Sequence, residues 1–146
     1  MSHDQTYEDV TVGETRSFGE YEVTREEILR FAGQYDPQPF HVDEEAAESS
    51  MFGGLVASGW HTAAMTMRML VDGELNESGA LGAVGVDELR WPNPVRPGDT
   101  LSIETEVLEK EPFREGIGLV HSRTVTTNDD GETVMSMVGR VLFPMG

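Results

Sequence analysis

Residues 59–72, GWHTAAMTMRMLVD, constrain the fold of this chain more than any other stretch. At helical spacing Trp60, Ala63, Ala64, Met67, Leu70 and Val71 share one face, while Met65 and Met69 make much of the opposite face apolar too. A helix with so little polar circumference has to be wrapped by other elements. The wrapping comes later in the chain. Leu101, Ile103, Thr105 and Val107 alternate with other residues, as do Met135, Met137, Gly139, Val141 and Phe143, which is the period of half-buried strands. NDDG at 128–131 reads as a hairpin turn. WPNPVRPGD at 91–99 reads as an irregular connection into the Leu101 strand, and a change of phase between Val86 and Leu89 predicts a β-bulge. Helices first and consecutive strands afterwards give an α+β class, with an antiparallel β-sheet packed on a buried helix.

With 146 residues, no internal repeat and no polar linker, the expectation is a single domain over residues 1–146. Its 27 acidic residues outnumber 10 basic ones, and a net charge of −17 argues against nucleic acid or an anionic membrane as partner, since both need clustered positive charge. The acidity is spread along the chain, as expected for a strongly solvated, halophile-like surface in a high-salt cytoplasm. The absence of cysteine excludes disulfides and thiolate nucleophiles. No basic region followed by an apolar run opens the sequence, so the location expected is cytoplasmic.

The stretch YDPQPFHVD, residues 35–43, carries the chemistry. Before it, Thr24 and Glu27 stand at capping-box spacing and Ile28, Phe31, Ala32 and Tyr35 share one face, which predicts a helix over 24–35. After it, Asp43 is placed to cap a short helix through Ala47. Between them, Asp36 and His41 have ordinary pKa values of about 3.9 and about 6.5, so near neutrality one is ionised and the other can exchange protons. Pro37 and Pro39 stiffen the segment, which suits a pair that must hold one water. The small residues before Gly59 open the greasy helix, whose free amides can stabilise charge developing on an oxygen.

Other groups are set aside. His61 reads as an ordinary helix residue, His121 and His3 gather no partners by spacing, and Asp43, Glu44 and Glu45 beside His41 read as a solvated cap, so no metal site is expected. Arg68, Arg90, Arg96, Lys110 and Arg114 are the candidates for contacting substrate phosphates.

These residues resemble the MaoC-like hydratase and dehydratase family, including the (R)-specific enoyl-CoA hydratases. The likeness lies in Asp36, Pro39 and His41, in the small-residue segment ending at Gly59, and in PVRPGDTL at 94–101, and it covers most of the chain. It implies the hot-dog fold, a sheet wrapped around a long central helix, and reversible hydration of a trans-2-enoyl thioester to an (R)-3-hydroxyacyl thioester. Asp36 and His41 would be catalytic, the Gly59 amide would hold the thioester carbonyl, and Gln38, Ser58 and Trp60 would contact substrate. Gln38 stands where the hydratases usually carry Asn, and Ser58 where they commonly carry His. No cofactor is implied beyond coenzyme A as part of the substrate. The partner implied is a second copy of the chain, as a homodimer or an assembly of dimers. The rival readings are a hot-dog acyl-CoA thioesterase and a noncatalytic acyl-thioester-binding subunit.

Overall fold

The computed structural model describes residues 5–75 and 78–146. A 3-10 turn at Tyr7–Asp9 precedes β1 (Thr15–Glu22), α1 (Arg25–Tyr35), α2 (Pro39–Val42), α3 (Glu44–Glu48) and α4 (Gly59–Gly73). Four strands follow, β2 (Gly82–Arg90), β3 (Thr100–Arg114), β4 (Ile117–Thr127) and β5 (Thr133–Pro144). All five strands form one antiparallel sheet in the order β1-β3-β4-β5-β2, with α4 against its inner face. This is the hot-dog fold expected from the sequence.

Alternation in β3 turns Leu101, Ile103 and Thr105 inward, and Leu101 and Ile103 join Met65 and Met69 of α4 and Met135 of β5 in one core. Burying side chains of this size contributes roughly 1.5–3 kcal/mol each. The turn at Asn128–Gly131 joins β4 to β5 as expected, closed by the Gly131 amide on the Asn128 carbonyl at 3.0 Å. The bulge also falls where the phase change placed it: the β2–β5 register shifts between Asp87 and Arg90, and Glu88 takes the left-handed φ of 54° that absorbs the extra residue.

The central helix is rotated relative to expectation. Trp60, Ala64 and Met67 are exposed, and the buried stripe is His61, Thr62, Met65, Thr66, Met69 and Leu70. Two threonines and a histidine look like surface residues to a hydropathy reading, but a hydroxyl can be buried when it is paired. Thr66 Oγ1 lies 2.8 Å from Thr126 Oγ1 of β4, and the Thr62 hydroxyl reaches the Ser58 carbonyl at 3.5 Å. The capping box at Thr24 is half made: the Thr24 hydroxyl accepts from the Glu27 amide at 3.2 Å, while the Glu27 carboxylate turns toward Tyr21 and His61. No helix among the described residues is long and apolar enough to cross a membrane.

Candidate active site

Asp36 ends α1, where the chain leaves the helix with φ −150° and ψ 66° because Pro37 cannot continue it. Its side chain is 15% exposed and carries a partner on each oxygen. Gln38 Nε2 donates to Oδ1 at 2.7 Å, and Ser58 Oγ donates to Oδ2 at 2.6 Å. Burial pushes the carboxyl up, but the hydrogen bonds from Ser58 and Gln38 and the neighbouring His41 outweigh it, so the group is held below its ordinary value. Asp36 is therefore an anion at neutral pH.

Pro39 at the first position of α2 is compatible with a helix start, and this short helix turns His41 inward against Asp36. His41 is buried, its ring edge-on to Phe40 with centroids 4.5 Å apart. Its Nδ1 lies 2.8 Å from the Val56 carbonyl, which can only accept, so Nδ1 carries the proton. The other nitrogen, Nε2, points at Asp36 Oδ2 from 3.6 Å. That gap is too long for a direct hydrogen bond, and it sets two basic atoms side by side at a distance at which one water can touch both.

Ser58 has a second task as N-cap of α4, accepting the Trp60 amide at 3.2 Å while it donates to Asp36. The next residue, Gly59, has an amide with no hydrogen-bond partner among the described residues, at the positive end of a fifteen-residue helix. Only glycine fits there: a Cβ would stand 2.6 Å from the Trp91 ring. Trp91 in turn packs edge-on against Trp60, with centroids 5.2 Å apart, and Trp60 is 60% exposed.

A MaoC like domain is matched over residues 8–130. The chain belongs to that family. It is 32% identical to the uncharacterized protein YdeM of Bacillus subtilis over 113 residues, covering 77% of this chain and 80% of that one. A MaoC-like dehydratase from Rhodospirillum rubrum superposes with a TM-score of 0.86 at 44% identity, covering 97% of both chains. The R-hydratase PhaJ1 of Pseudomonas aeruginosa superposes with a TM-score of 0.76 at 25% identity, over 97% of this chain and 86% of that one.

Within this MaoC-like domain the residues singled out from sequence, Asp36, Gln38, His41, Ser58, Gly59 and Trp60, gather in one corner built from the end of α1, α2 and the start of α4. Sequence reasoning did not foresee that Ser58 is buried and spent on Asp36, because the contact spans 22 positions. It also missed Val56, whose carbonyl fixes the His41 tautomer. Of the phosphate candidates, Lys110 turns inward to the Tyr7 and Val10 carbonyls, each at 2.9 Å, and Arg68 pairs with Asp72 at 2.8 Å. Arg90 directly precedes Trp91, and Arg96 reaches the Phe52 carbonyl at 2.7 Å, beside the Phe40 that edges His41.

His121 corrects an expectation. It does gather partners, Glu111 at 3.2 Å and Glu109 at 3.9 Å, because Glu109 lies opposite it on β3 and Glu111 follows two residues later on the same face. One imidazole nitrogen and one oxygen from each carboxylate fall within 4.8 Å of one another. The imidazole and the two exposed carboxylates form a polar cluster on the surface of the sheet. His3 lies outside the described residues.

A wide cavity of about 410 Å³ lies elsewhere. It runs between the second half of α4 and the inner face of β2, β4 and β5, lined by Met67, Leu70, Val86, Val120, Met137 and Phe143 among others, and includes neither Asp36 nor His41.

Proposed function

We propose that the protein is a hydro-lyase that adds water reversibly to a trans-2-enoyl thioester of coenzyme A, giving the (R)-3-hydroxyacyl thioester. The observation that carries this reading is the pairing of Asp36 Oδ2 with His41 Nε2 across 3.6 Å, next to the free amide of Gly59. Water bound between the two basic atoms presents its oxygen to Cβ of the alkene. As the C–O bond forms, one member of the pair takes a proton from the water and the pair delivers one to Cα, so the pair ends with the protons it began with. Charge that builds on the thioester oxygen is met by the Gly59 amide; a donor of this kind lowers such a barrier by about 3–4 kcal/mol. No metal or redox group enters this balance.

Membership of a dehydratase family and likeness to an R-hydratase support the reaction class. Ser58, by holding Asp36, and Gln38, by capping its other oxygen, act in this reading through the carboxylate. In this reading Trp60 and Trp91 wall the thioester, and Arg90 and Arg96 meet the coenzyme A phosphates. The active form is a homodimer or an assembly of dimers, joined at the β2 edge, where Leu81, Val84 and Val86 are exposed.

The test is incubation with a panel of enoyl- and 3-hydroxyacyl-CoA thioesters, followed by chiral analysis. Water addition with (R) product is expected. Predominant (S) product contradicts the stereochemical assignment, and release of free thiol from a saturated acyl-CoA without hydration replaces the reading with a thioesterase.

A further inference from the structure

A second polar cluster stands apart from Asp36 and His41. Tyr21 Oη donates to Glu27 Oε1 at 2.5 Å, and His61 Nε2 donates to the same oxygen at 3.2 Å. The three residues come from β1, α1 and α4, and with Arg30, Phe31 and Gln34 they line a cavity of about 240 Å³. His61 is only 3% exposed and its ring stacks on Phe31, with centroids 4.7 Å apart and planes 9° from parallel.

As packing alone, His61 is a poor choice. Its Nε2 proton is committed to Glu27, so Nδ1 of the neutral ring is an acceptor, and that atom is enclosed without a partner. Burial draws the ring below its ordinary value against the pull of Glu27, which keeps it neutral. Burial, helped by Glu27, pushes the Tyr21 phenol up to about 12, which keeps it a donor. A leucine would fill the same space without an unsatisfied atom. The contact with Glu27 is what a leucine would lose.

That contact has a geometric consequence. Glu27 lies in the first turn of α1 and Asp36 at its far end, about 13 Å along the axis. His61 lies in the first turn of α4, and Ser58 is its N-cap. The two helices thus share two polar contacts, Glu27–His61 toward one end of α1 and Asp36–Ser58 at the other, with the Phe31–His61 stack between them. Without Glu27–His61 the start of α1 is held against α4 by apolar packing alone, which fixes an angle less sharply than a directional hydrogen bond does.

We propose that Glu27 and His61 are positioning residues, whose contact, steadied by Tyr21, sets the angle of α1 against α4 and so holds the Asp36 carboxylate against Ser58 and beside His41. The kinetic consequence rests on the hydratase reading; the geometric one does not.

His61→Leu is the deciding variant, because it removes the contact together with the unsatisfied nitrogen and is expected to fold at least as well as the parent. Misplacing reacting groups by an ångström costs up to about 100-fold, so kcat is expected to fall by roughly 10-fold or more with KM within about twofold. Glu27→Ala should match it. Glu27→Gln, which keeps an acceptor for Tyr21 and His61, should recover most of the loss. In a crystal structure of His61→Leu the Asp36 Oδ2–Ser58 Oγ hydrogen bond should be lengthened or broken. Parent-like kcat in folded His61→Leu, or a lowered melting temperature with normal turnover per folded molecule, overturns the proposal. Should the parent hydrate no enoyl thioester, the hydratase reading fails by itself, and the crystal structure then decides: an Asp36 that has not moved in His61→Leu defeats the positioning role.

Discussion

The two ends of α4 are built on opposite plans. At its start, Asp36 has a hydrogen bond on each oxygen, His41 has its tautomer fixed by Val56, and Ser58 serves two partners at once. Along its second half lies a wide apolar cavity bounded by β2, an edge strand whose residues are almost all exposed. The first region is organised by one chain. The second has an open side, and under the proposed hydratase reading it is the space available to an acyl group. Substitutions in the polar corner should act on kcat and those along the apolar face on KM and assembly.

The largest effect expected concerns the corner. Asp36→Asn keeps the shape but loses the anion, and His41→Ala loses the ring, so each should lower kcat by about 100-fold to 10,000-fold with fold and thioester binding retained. Because the two share one water, the double variant should lose little more than the worse single one. Circular dichroism and turnover of a short enoyl-CoA check this, and near-parent turnover in both folded single variants would end the hydratase reading.

Next comes the open side. Val86→Lys puts a charge where the partner sheet is expected, and an unpaired buried charge costs several kcal/mol, on the order of 100-fold or more in dissociation constant. Light scattering should show monomers, with KM raised. An active, dimeric Val86→Lys protein would place the interface elsewhere and dissolve the contrast between the two ends.

A smaller effect separates Ser58 from the pair it supports. Ser58→Ala removes a donor that favours ionised Asp36, so the carboxyl rises and the acid limb of kcat/KM should move to higher pH. The same linkage has a stability side. A carboxyl held low in the folded state contributes stability that is present above its unfolded value near 3.9 and is lost as the pH falls through the lower folded value. The parent should therefore lose stability through that acid range more steeply than Ser58→Ala, as thermal melts at stepped pH will show.

The smallest is global. With 27 acidic and 10 basic residues, added salt should raise the melting temperature by a few degrees from low ionic strength through screening of carboxylate repulsion, in Val86→Lys and parent alike. A flat or falling curve would remove the high-salt interpretation.

What could be read in advance follows a physical pattern. Asp36 and His41 lie five positions apart on a proline-stiffened segment, so spacing alone brings them together, and the bulge at Glu88 showed as a break in alternation. Ser58 on Asp36, Glu27 on His61 and Glu109 on His121 depend on how helices and strands are laid against one another, which no local period encodes. Strand β1, TRSFGEYE, gave no signal because it lies at the edge of the sheet with mostly exposed residues. The rotated face of α4 was hidden for a different reason: the Thr66 hydroxyl is paired inside the core with Thr126, sixty positions away.

The irregularities of β2 bear on what this chain does at high concentration. An exposed, apolar edge invites open-ended stacking of sheet upon sheet. Here the ladder to β5 slips between Ala83 and Gly85 and again between Asp87 and Arg90, leaving Gly85, Val86 and Asp87 as a short regular stretch between the two breaks. The opposite edge, β1, has its own slip between Phe18 and Tyr21. Neither border offers a long flat template, so recruitment of a further chain is confined to a brief stretch in one register. The edge is thereby suited to ending in a closed pair, and ill suited to seeding a fibre.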